Sequence, residues 1–322
     1  MNKLDKNTER LLTQMGVVKG SEIKPPEMVK IGLPQWDYYI GGIPRGRFTH
    51  IWGPDGSGKT TISLFIAKAF LKYGWVLIFD IEKSFDREWA LNFLTEDEID
   101  QIYVMQPDEG GAEMMLDKGK QLLMSNTPPS LVVVDSITAT ASTASIDRDA
   151  EKVLVGGDAV LKNRMIRVLN IVNRDTAMVV ISQFREGIGV WDHVPDGRGL
   201  RHMASLRIQL MSSKLRAKDT DFDDGEDRQE VGVISRFNVQ KSKLAKPYQR
   251  GYEIIHSDGF IDIFDSQVRL LLDLGLLVKA GAWYKVGEES LQGKTKLREW
   301  AENNPAEWGA ILARLDESVG ES

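Results

Sequence analysis

Eight consecutive residues have the types and spacing needed to hold a polyphosphate. They read Gly53-Pro54-Asp55-Gly56-Ser57-Gly58-Lys59-Thr60, which has the form G-x-x-x-x-G-K-T. Glycines at these positions let successive backbone N–H groups point at one anion. In such a loop the lysine reaches the β- and γ-phosphates, and the threonine hydroxyl binds Mg²⁺. We therefore predict a nucleoside triphosphate site here, with Thr60 as a metal ligand.

Two other segments end in acids suited to the hydrolysis of a γ-phosphate. Residues 131–134 are apolar and Asp135 follows them, where a carboxylate could hold Mg²⁺ through a coordinated water molecule. Residues 76–79 are apolar and are followed by Asp80, Ile81 and Glu82. A carboxylate at such a strand end could activate water. Glu82 is the candidate, although the sequence alone does not separate it from Asp80.

An uncharged amide, Gln183, ends a further predicted strand that begins with the apolar residues 178–181. An amide at this point could sense whether a γ-phosphate is present and pass that state to the loop that follows. Lys241 and Lys243 lie two residues apart on another predicted strand and so share one face. They could keep an exposed sheet edge from aggregating, or reach the γ-phosphate of a neighbouring subunit. We favour the second interpretation.

Alternating strands and helices are predicted to carry these residues. The early strands are nearly continuous apolar runs, which indicates a parallel sheet covered by helices on both faces. The later strands are closer together along the chain and are predicted to be antiparallel. Strands are predicted at 47–52, 75–80, 102–106, 130–135, 177–184, 205–212, 231–240 and 252–256, and helices at 60–73, 87–94, 111–125, 157–173 and 266–274.

Composition limits the class of protein. The chain has 322 residues, of which 42% are hydrophobic and 27% charged, as in a globular protein with a full core. It has no cysteine, which excludes disulfides and thiolate metal sites, and no apolar run long enough to span a membrane. We expect a cytoplasmic location. The formal charge of −6 argues against a wholly basic nucleic-acid coat but allows a local basic channel.

Two segments combine basic residues, apolar residues and glycines, and binding to single-stranded nucleic acid needs such basic and apolar groups. The first covers residues 146–158 and the helix after it, and the second covers residues 185–202. We expect glycine density to leave the second segment a loop until its ligand arrives. The candidate DNA-binding residues are Arg148, Lys152, Leu154, Arg164, Arg167, Arg185, Ile188, Val190, Trp191, Arg198, Gly199 and Arg201.

The ends of the chain differ from its centre. Residues 1–15 have apolar residues on one helical face, and a helix this short needs something to pack against. Residues 219–227 form an acidic loop without the EF-hand pattern. A second domain is predicted from about Asp262, ending in a disordered acidic tail at 316–322.

Together these residues resemble the RecA recombinase family over nearly the whole chain. The resemblance rests on the glycine-rich loop through Thr61, on Asp80-Ile81-Glu82, on Val134-Asp135-Ser136, on Ser182-Gln183 and on Lys241-Ser242-Lys243. Residues 279–284 and 292–294 resemble the small C-terminal domain of bacterial members, which the hexameric helicases of the same core fold lack.

The resemblance implies a RecA-like α/β P-loop core at 31–261 with a mixed, largely parallel sheet. A docking segment at 1–30 would precede it, and a small α+β domain at 262–322 would follow. Glu82 would activate water, Asp86 and Trp89 would contact adenine, Gln183 would sense phosphate, and the two lysines would act on the neighbour's nucleotide. The implied activity is DNA-dependent ATP hydrolysis with Mg²⁺, in a helical filament of identical subunits that pairs single-stranded with homologous duplex DNA.

Several features depart from the family pattern, and the sequence is compatible with more than one function. The N-terminal segment and the loop after Gln183 are short, and His202 stands where phenylalanine is usual. A divergent member, for example a phage-encoded one, would fit these departures. A ring-forming helicase on the same core and a non-motor ATP-binding mediator of recombination are the other candidate functions.

Overall fold

The strands of this computed structural model form one large sheet and two small ones. Residues 4–107, 111–139, 157–183, 197–216, 230–244 and 247–319 are described. The strands are β1 (Met28–Val29), β2 (Ile43–Pro44), β3 (Phe48–Gly53), β4 (Val76–Asp80), β5 (Ile102–Met105), β6 (Leu131–Asp135), β7 (Ala177–Gln183), β8 (Leu206–Arg216), β9 (Glu230–Ser242), β10 (Arg250–His256), β11 (Val278–Ala280), β12 (Trp283–Val286) and β13 (Glu289–Gln292).

The central sheet has the order β10-β9-β8-β3-β7-β6-β4-β5. The six strands from β8 to β5 are parallel, while β9 and β10 are antiparallel to their neighbours. The prediction of a mixed, largely parallel sheet is therefore confirmed. This order brings the carboxyl ends of β3, β4, β6 and β7 to one edge, where open parallel sheets bind ligands.

Helices cover both faces of this sheet, and further helices lie near the two ends of the chain. They are α1 (Lys6–Gln14), α2 (Pro34–Tyr39), α3 (Lys59–Leu71), α4 (Arg87–Ala90), α5 (Glu96–Ile99), α6 (Gly111–Leu123), α7 (Gly157–Val172), α8 (Gly197–Met203), α9 (Ile263–Asp273), α10 (Gly293–Asn303) and α11 (Pro305–Val319). No helix within the described ranges is long and apolar enough to cross a membrane.

Strand alternation divides the core into two apolar layers. On β3, Ile51 packs in one layer with Ile62 of α3, whereas Phe48 packs in the other with Leu169 of α7 and Leu200 of α8. Side chains of successive strand residues point to opposite faces, so a continuously apolar strand contributes to both layers. This burial on both faces holds the strand ends rigidly at the candidate site.

The C-terminal residues build a third apolar cluster around the small sheet β11-β12-β13. Leu271 of α9, Tyr284 of β12 and Leu297 of α10 are buried together there. Asp262 caps α9 by accepting the Asp265 N–H at 2.9 Å, and it also pairs with Arg298 of α10 at 2.7 Å. These contacts join the helix that follows the core to the small sheet and its helices.

Three sequence predictions were wrong in detail. The helix predicted at 87–94 ends at Ala90, because the chain turns there to bury Phe93 and Leu94. The last residues are not a wholly irregular tail, since α11 continues to Val319. Each residue added to an existing helix contributes a backbone hydrogen bond at little cost. The third correction concerns residues 197–203, which form α8 rather than part of a loop.

Candidate nucleotide site and its surroundings

The glycine-rich loop joins β3 to α3 at the carboxyl edge of the sheet. Gly56 and Gly58 have φ values of +68° and +86°, which other residues rarely adopt. A Cβ on Gly58 would lie 2.6 Å from Cδ1 of Ile255 on β10. The loop thus needs glycine for its backbone angles, and at Gly58 also for close packing.

Lys59 is the first residue of α3, and its side chain turns back over the loop. Nζ donates to the carbonyl oxygens of Gly53 at 3.1 Å and Pro54 at 2.7 Å. Burial lowers the pKa of the ammonium, and the carboxylates of Asp55, Asp135 and, more weakly, Glu82 oppose that shift. The cation is therefore held at the loop, where a bound triphosphate would meet it.

Thr60 and Asp135 supply two hard oxygen groups side by side. The Thr60 hydroxyl donates to Oδ2 of Asp135 at 3.1 Å across the gap between α3 and β6. Burial raises the pKa of Asp135 to about 6; the Thr60 hydrogen bond opposes the shift, and the nearby Glu82 carboxylate adds to it. A divalent cation would relieve this crowding of carboxylates, so the donor set fits Mg²⁺.

Within the described ranges, no group of three or more His, Cys, Asp or Glu residues is arranged to hold a metal ion. Mg²⁺ at Thr60 and Asp135 would therefore take its remaining ligands from phosphate oxygens and water, which is its usual manner of binding.

Glu82 is held by an amide and a hydroxyl. Gln183 Nε2 donates to Oε1 and Oε2 of Glu82 at 3.0 and 2.9 Å, and the Ser136 hydroxyl also donates to Oε1. The backbone N–H of Gln183 in turn donates to the Thr138 hydroxyl at 3.0 Å. A carboxylate and a polar amide from two strands therefore meet beside the loop.

Asp80 accepts hydrogen bonds from other groups than Glu82 does. Its Oδ1 accepts the backbone N–H of Ser84 at 2.9 Å, and its Oδ2 accepts the backbone N–H of Phe85 at 3.0 Å and Gln106 Nε2 at 2.9 Å. A carboxylate with these partners shapes the turn after β4. The hydrogen bonds thus distinguish the two acids that the sequence could not separate, and the water-activating role of Glu82 stays a prediction.

Asp86 and Trp89, predicted to contact a base, lie at the start of α4. Asp86 caps this helix by accepting the N–H groups of Glu88 at 2.9 Å and Trp89 at 3.1 Å through Oδ1. The Trp89 ring packs edge-on against Phe93, with centroids 5.6 Å apart. The contact of either residue with adenine stays a prediction.

Lys241 and Lys243 lie at the end of β9 and bind the C-terminal end of α8. Lys241 Nζ donates to the carbonyl oxygens of Arg201 at 2.7 Å and His202 at 3.2 Å, and Lys243 Nζ donates to His202 O at 3.3 Å. Lysines at this end of a helix meet its orphan carbonyls and its negative dipole end. Burial lowers the pKa of Lys241, and the charges of Lys243 and Arg207 lower it further.

Five of the twelve predicted DNA-binding residues belong to two described helices. Arg164 and Arg167 lie on the exposed face of α7, while Met165 and Ile166 face the core. Gly199 and Arg201 lie on α8, as does the backbone of Arg198. Seven others lie outside the described residues: Arg148, Lys152, Leu154, Arg185, Ile188, Val190 and Trp191.

Sequence analysis missed residues that support the glycine-rich loop from a distance. The Ser235 hydroxyl on β9 donates to the carbonyl oxygen of Ser57 at 2.7 Å, although the two residues are 178 positions apart. Ile255 packs beside Gly58 from β10. No local pattern marks either residue, because their role depends on β9 and β10 pairing onto the parallel sheet.

These features define a P-loop protein with a mixed sheet. At the neighbouring ends of its strands lie the carboxylate of Glu82, the amide of Gln183 and the carboxylate of Asp135, which could bind Mg²⁺. The model of the RecA N-terminal domain matches residues 21–261. The chain is 34% identical to the RecA protein of Heliobacterium modesticaldum over 276 residues, covering 83% of this chain and 76% of that protein. It is 31% identical to the RecA protein of Nocardioides sp. over 327 residues, covering 98% and 89%. The chain belongs to the RecA family.

A solved structure supports the fold alone. The crystal structure of the RadB recombinase superposes with a TM-score of 0.54 at 20% sequence identity. The superposition covers 72% of this chain and 98% of that one.

Proposed function

We propose that this protein is a DNA-dependent ATPase that forms helical filaments on single-stranded DNA and exchanges strands with homologous duplex DNA. Family membership supports a recombination function in general, and an ATP hydrolase in general. The observation that carries the finer proposal is the meeting of Lys59, Thr60, Asp135, Glu82 and Gln183 at one edge of the sheet.

Each of these residues has a part in hydrolysis under this proposal. The loop N–H groups and Lys59 bind the phosphates of ATP, and Thr60 and Asp135 hold Mg²⁺. The metal supplies charge neutralisation at the phosphates. Glu82 orients and deprotonates the attacking water, and Gln183, bonded to Glu82, exchanges that partner for the γ-phosphate. Asp86 and Trp89 contact adenine.

The polymer and its DNA contacts complete the proposal. Residues 1–30 dock on the next subunit, 31–261 form the ATPase core, and 262–322 form the small C-terminal domain. Lys241 and Lys243 leave the α8 carbonyls to meet the neighbour's γ-phosphate, in the manner of an arginine finger supplied in trans. The exposed Arg164 and Arg167 neutralise DNA phosphates.

The test compares ATP turnover with and without single-stranded DNA. We expect DNA to raise turnover, and Lys241→Ala with Lys243→Ala to abolish that rise while ATP binding is kept. Lys285→Ala, at an exposed position of β12, is the matched control. Turnover that DNA does not stimulate, together with no filaments by electron microscopy, would contradict the proposal. Closed rings that unwind duplexes would favour a helicase, and tight ATP binding with turnover unaffected by Glu82→Gln would favour a mediator.

A further inference from the structure

A buried histidine lies behind the nucleotide site, between the strand that ends in Gln183 and the strand next to the lysine pair. His50 is fully buried on β3. Its Nε2 lies 2.9 Å from the hydroxyl of Ser182 on β7, and its Nδ1 lies 3.3 Å from Nε of Arg207 on β8. The imidazole thus spans three neighbouring strands through side-chain hydrogen bonds.

The direction of these hydrogen bonds follows from the chemistry of arginine. A guanidinium can only donate, so Nδ1 of His50 must accept from Arg207. The ring proton then lies on Nε2, which donates to the Ser182 hydroxyl. A neutral imidazole in this tautomer joins a donor on β8 to an acceptor on β7, and each bond is directional in a way that apolar packing is not.

The hydrogen bonds from Ser182 through His50 to Arg207 form a path across three strands. At each end this path adjoins a residue that the proposed function assigns to ATP hydrolysis. Ser182 immediately precedes Gln183, whose side chain binds Glu82 and whose N–H binds Thr138. Arg207 is paired in register with Lys241 on β9, and its charge is one cause of the lowered pKa of that lysine. Arg207 also lies over the ring of Trp52, with Cζ 6.0 Å from the centroid.

The path continues from Lys241 to α8. Lys241 binds the carbonyl oxygens of Arg201 and His202 in the last turn of α8, the helix that occupies the C-terminal part of the second predicted DNA-binding segment. A shift of Gln183 toward a phosphate moves the Ser182 backbone with it. His50 would carry that shift to Arg207, and Arg207 would change the position or charge environment of Lys241.

We propose that His50 is a positioning residue that couples the phosphate-sensing end of β7 to Arg207, Lys241 and α8. This inference rests on the proposed function, because it takes Gln183 as the sensor and Lys241 as the group that acts on the neighbour's nucleotide. His50 touches neither nucleotide nor metal. Its effect is on the response to ligand, and not on the chemistry within the site.

Three variants separate the hydrogen bond made by Nε2 of His50 from the one made by Nδ1. His50→Gln keeps a polar group near Nε2 and the Ser182 contact, His50→Asn keeps an acceptor near Nδ1 for Arg207, and His50→Leu removes both. The matched control is Thr49→Val, the neighbouring fully buried residue of β3, whose side chain points to the other face. This control changes one buried polar group on the same strand to an apolar one of similar shape.

Two measurements are made on the full chain with Mg²⁺. The first is hydrogen exchange of residues 197–205 and 241–244 with a non-hydrolysable ATP analogue and with ADP. The second is kcat and KM for ATP with and without single-stranded DNA. In the wild type and in Thr49→Val we expect exchange in both segments to differ between the two nucleotides.

In all three His50 variants we expect that difference to disappear and the DNA stimulation of kcat to fall about tenfold, within the range of coupling between sites. Affinity for the analogue should stay within about twofold, because Lys59, Thr60 and Asp135 are untouched.

A further check is Ser182→Ala combined with Arg207→Lys. Their effects should be non-additive in the His50 protein, since they interrupt one path, and additive in His50→Leu.

The outcomes distinguish this inference from the proposed function. If the variants keep both the nucleotide-dependent exchange and the DNA stimulation, the role of His50 is overturned. If wild-type turnover does not respond to DNA, the proposed function fails, and the exchange experiment alone then decides the role of His50. Loss of exchange differences in Thr49→Val as well would also overturn it, because any buried polar change on β3 would then have the same effect.

Discussion

Glu82 differs from Asp80, the other acid at the end of β4, in its hydrogen-bond partners. Its two oxygens accept from Gln183, whereas the oxygens of Asp80 accept N–H groups of the turn after β4. Two acids at the end of one strand therefore have different hydrogen-bond partners, which is consistent with different roles. The same comparison leads to a direct test of the proposed water activation.

Glu82→Gln should lower DNA-stimulated kcat by about 10²- to 10⁴-fold, since the amide cannot take a proton from water. The KM for ATP should change little, because the phosphate-binding loop is intact. Steady-state hydrolysis with a saturating DNA oligonucleotide measures both constants. Glu96→Gln, at an exposed residue of α5, is the control and should behave as the wild type.

A second acid, Glu253, is expected to make stability depend on pH. This β10 residue is 1% exposed, its two carboxylate oxygens are buried without a hydrogen-bond partner in the described part of the chain, and burial raises the pKa of its carboxyl to about 8. In the unfolded chain the carboxyl titrates near its usual value of 4.5. The folded state thus binds more protons between these values, and its stability falls as pH rises through 8.

We expect the unfolding free energy to fall by roughly 2 kcal/mol between pH 6.5 and 9 from this group, at about 1.4 kcal/mol per pKa unit. Asp135 contributes little there because its pKa is about 6. Urea unfolding at three pH values measures the slope. Glu253→Gln should flatten it, and Glu307→Gln, at an exposed residue, should not. An unchanged slope in Glu253→Gln would contradict the assignment.

At the scale of elements, α8 shows where sequence patterns mislead. Its two glycines suggested a loop, yet Gly199 lies in a helix packed against α7. The Gly199 N–H donates to Oδ1 of Asn163 at 3.1 Å, and a Cβ there would lie 2.1 Å from that oxygen. Glycine is present because two helices approach closely, a reason that no local pattern reveals.

Gly199→Ala should therefore cost about 1–3 kcal/mol of unfolding free energy, from overpacking and the displaced hydrogen bond. Gly309→Ala is the matched control on α11, where a Cβ would meet nothing within 4 Å. That control should gain roughly 0.5–1 kcal/mol from helix propensity. Adding Asn163→Ala to Gly199→Ala should recover part of the loss; a larger loss in the double variant would exclude the clash as the cause.

At the scale of the whole molecule, α1 has an exposed apolar face that a second subunit could cover. Asp5 caps this helix, but none of its residues is buried, and Leu11 and Met15 are 54% and 68% exposed. A helix of nine residues with an unburied apolar face is marginal in water. Docking on a second copy of the chain would bury that face, as the proposed filament requires.

Leu11→Glu with Met15→Glu should shift sedimentation in the presence of ATP and DNA toward smaller species. The unfolding midpoint of the isolated chain should stay the same, because neither side chain contributes to its core. Arg10→Ala, on the same helix, is the control for a change of charge. If the double variant forms polymers as long as those of the wild type, the docking role of α1 is wrong.

Short-range features of the sequence determined the P-loop, the fold class and the acid-ending strands. A glycine-rich turn, a hydrophobic period and a strand length each depend on residues close together in the chain. These features also brought Lys59, Thr60, Asp135, Glu82 and Gln183 into consideration as one site.

Only the tertiary structure decided which side chains serve one another across the sheet. The separation of Glu82 from Asp80, the support of the P-loop by Ser235, the position of His50 and the helical state of α8 all depend on residues distant in sequence. Hydrogen bonds require atoms within about 3 Å, and strand order alone sets which residues come that close. Patterns among neighbouring residues in the sequence do not encode the strand order.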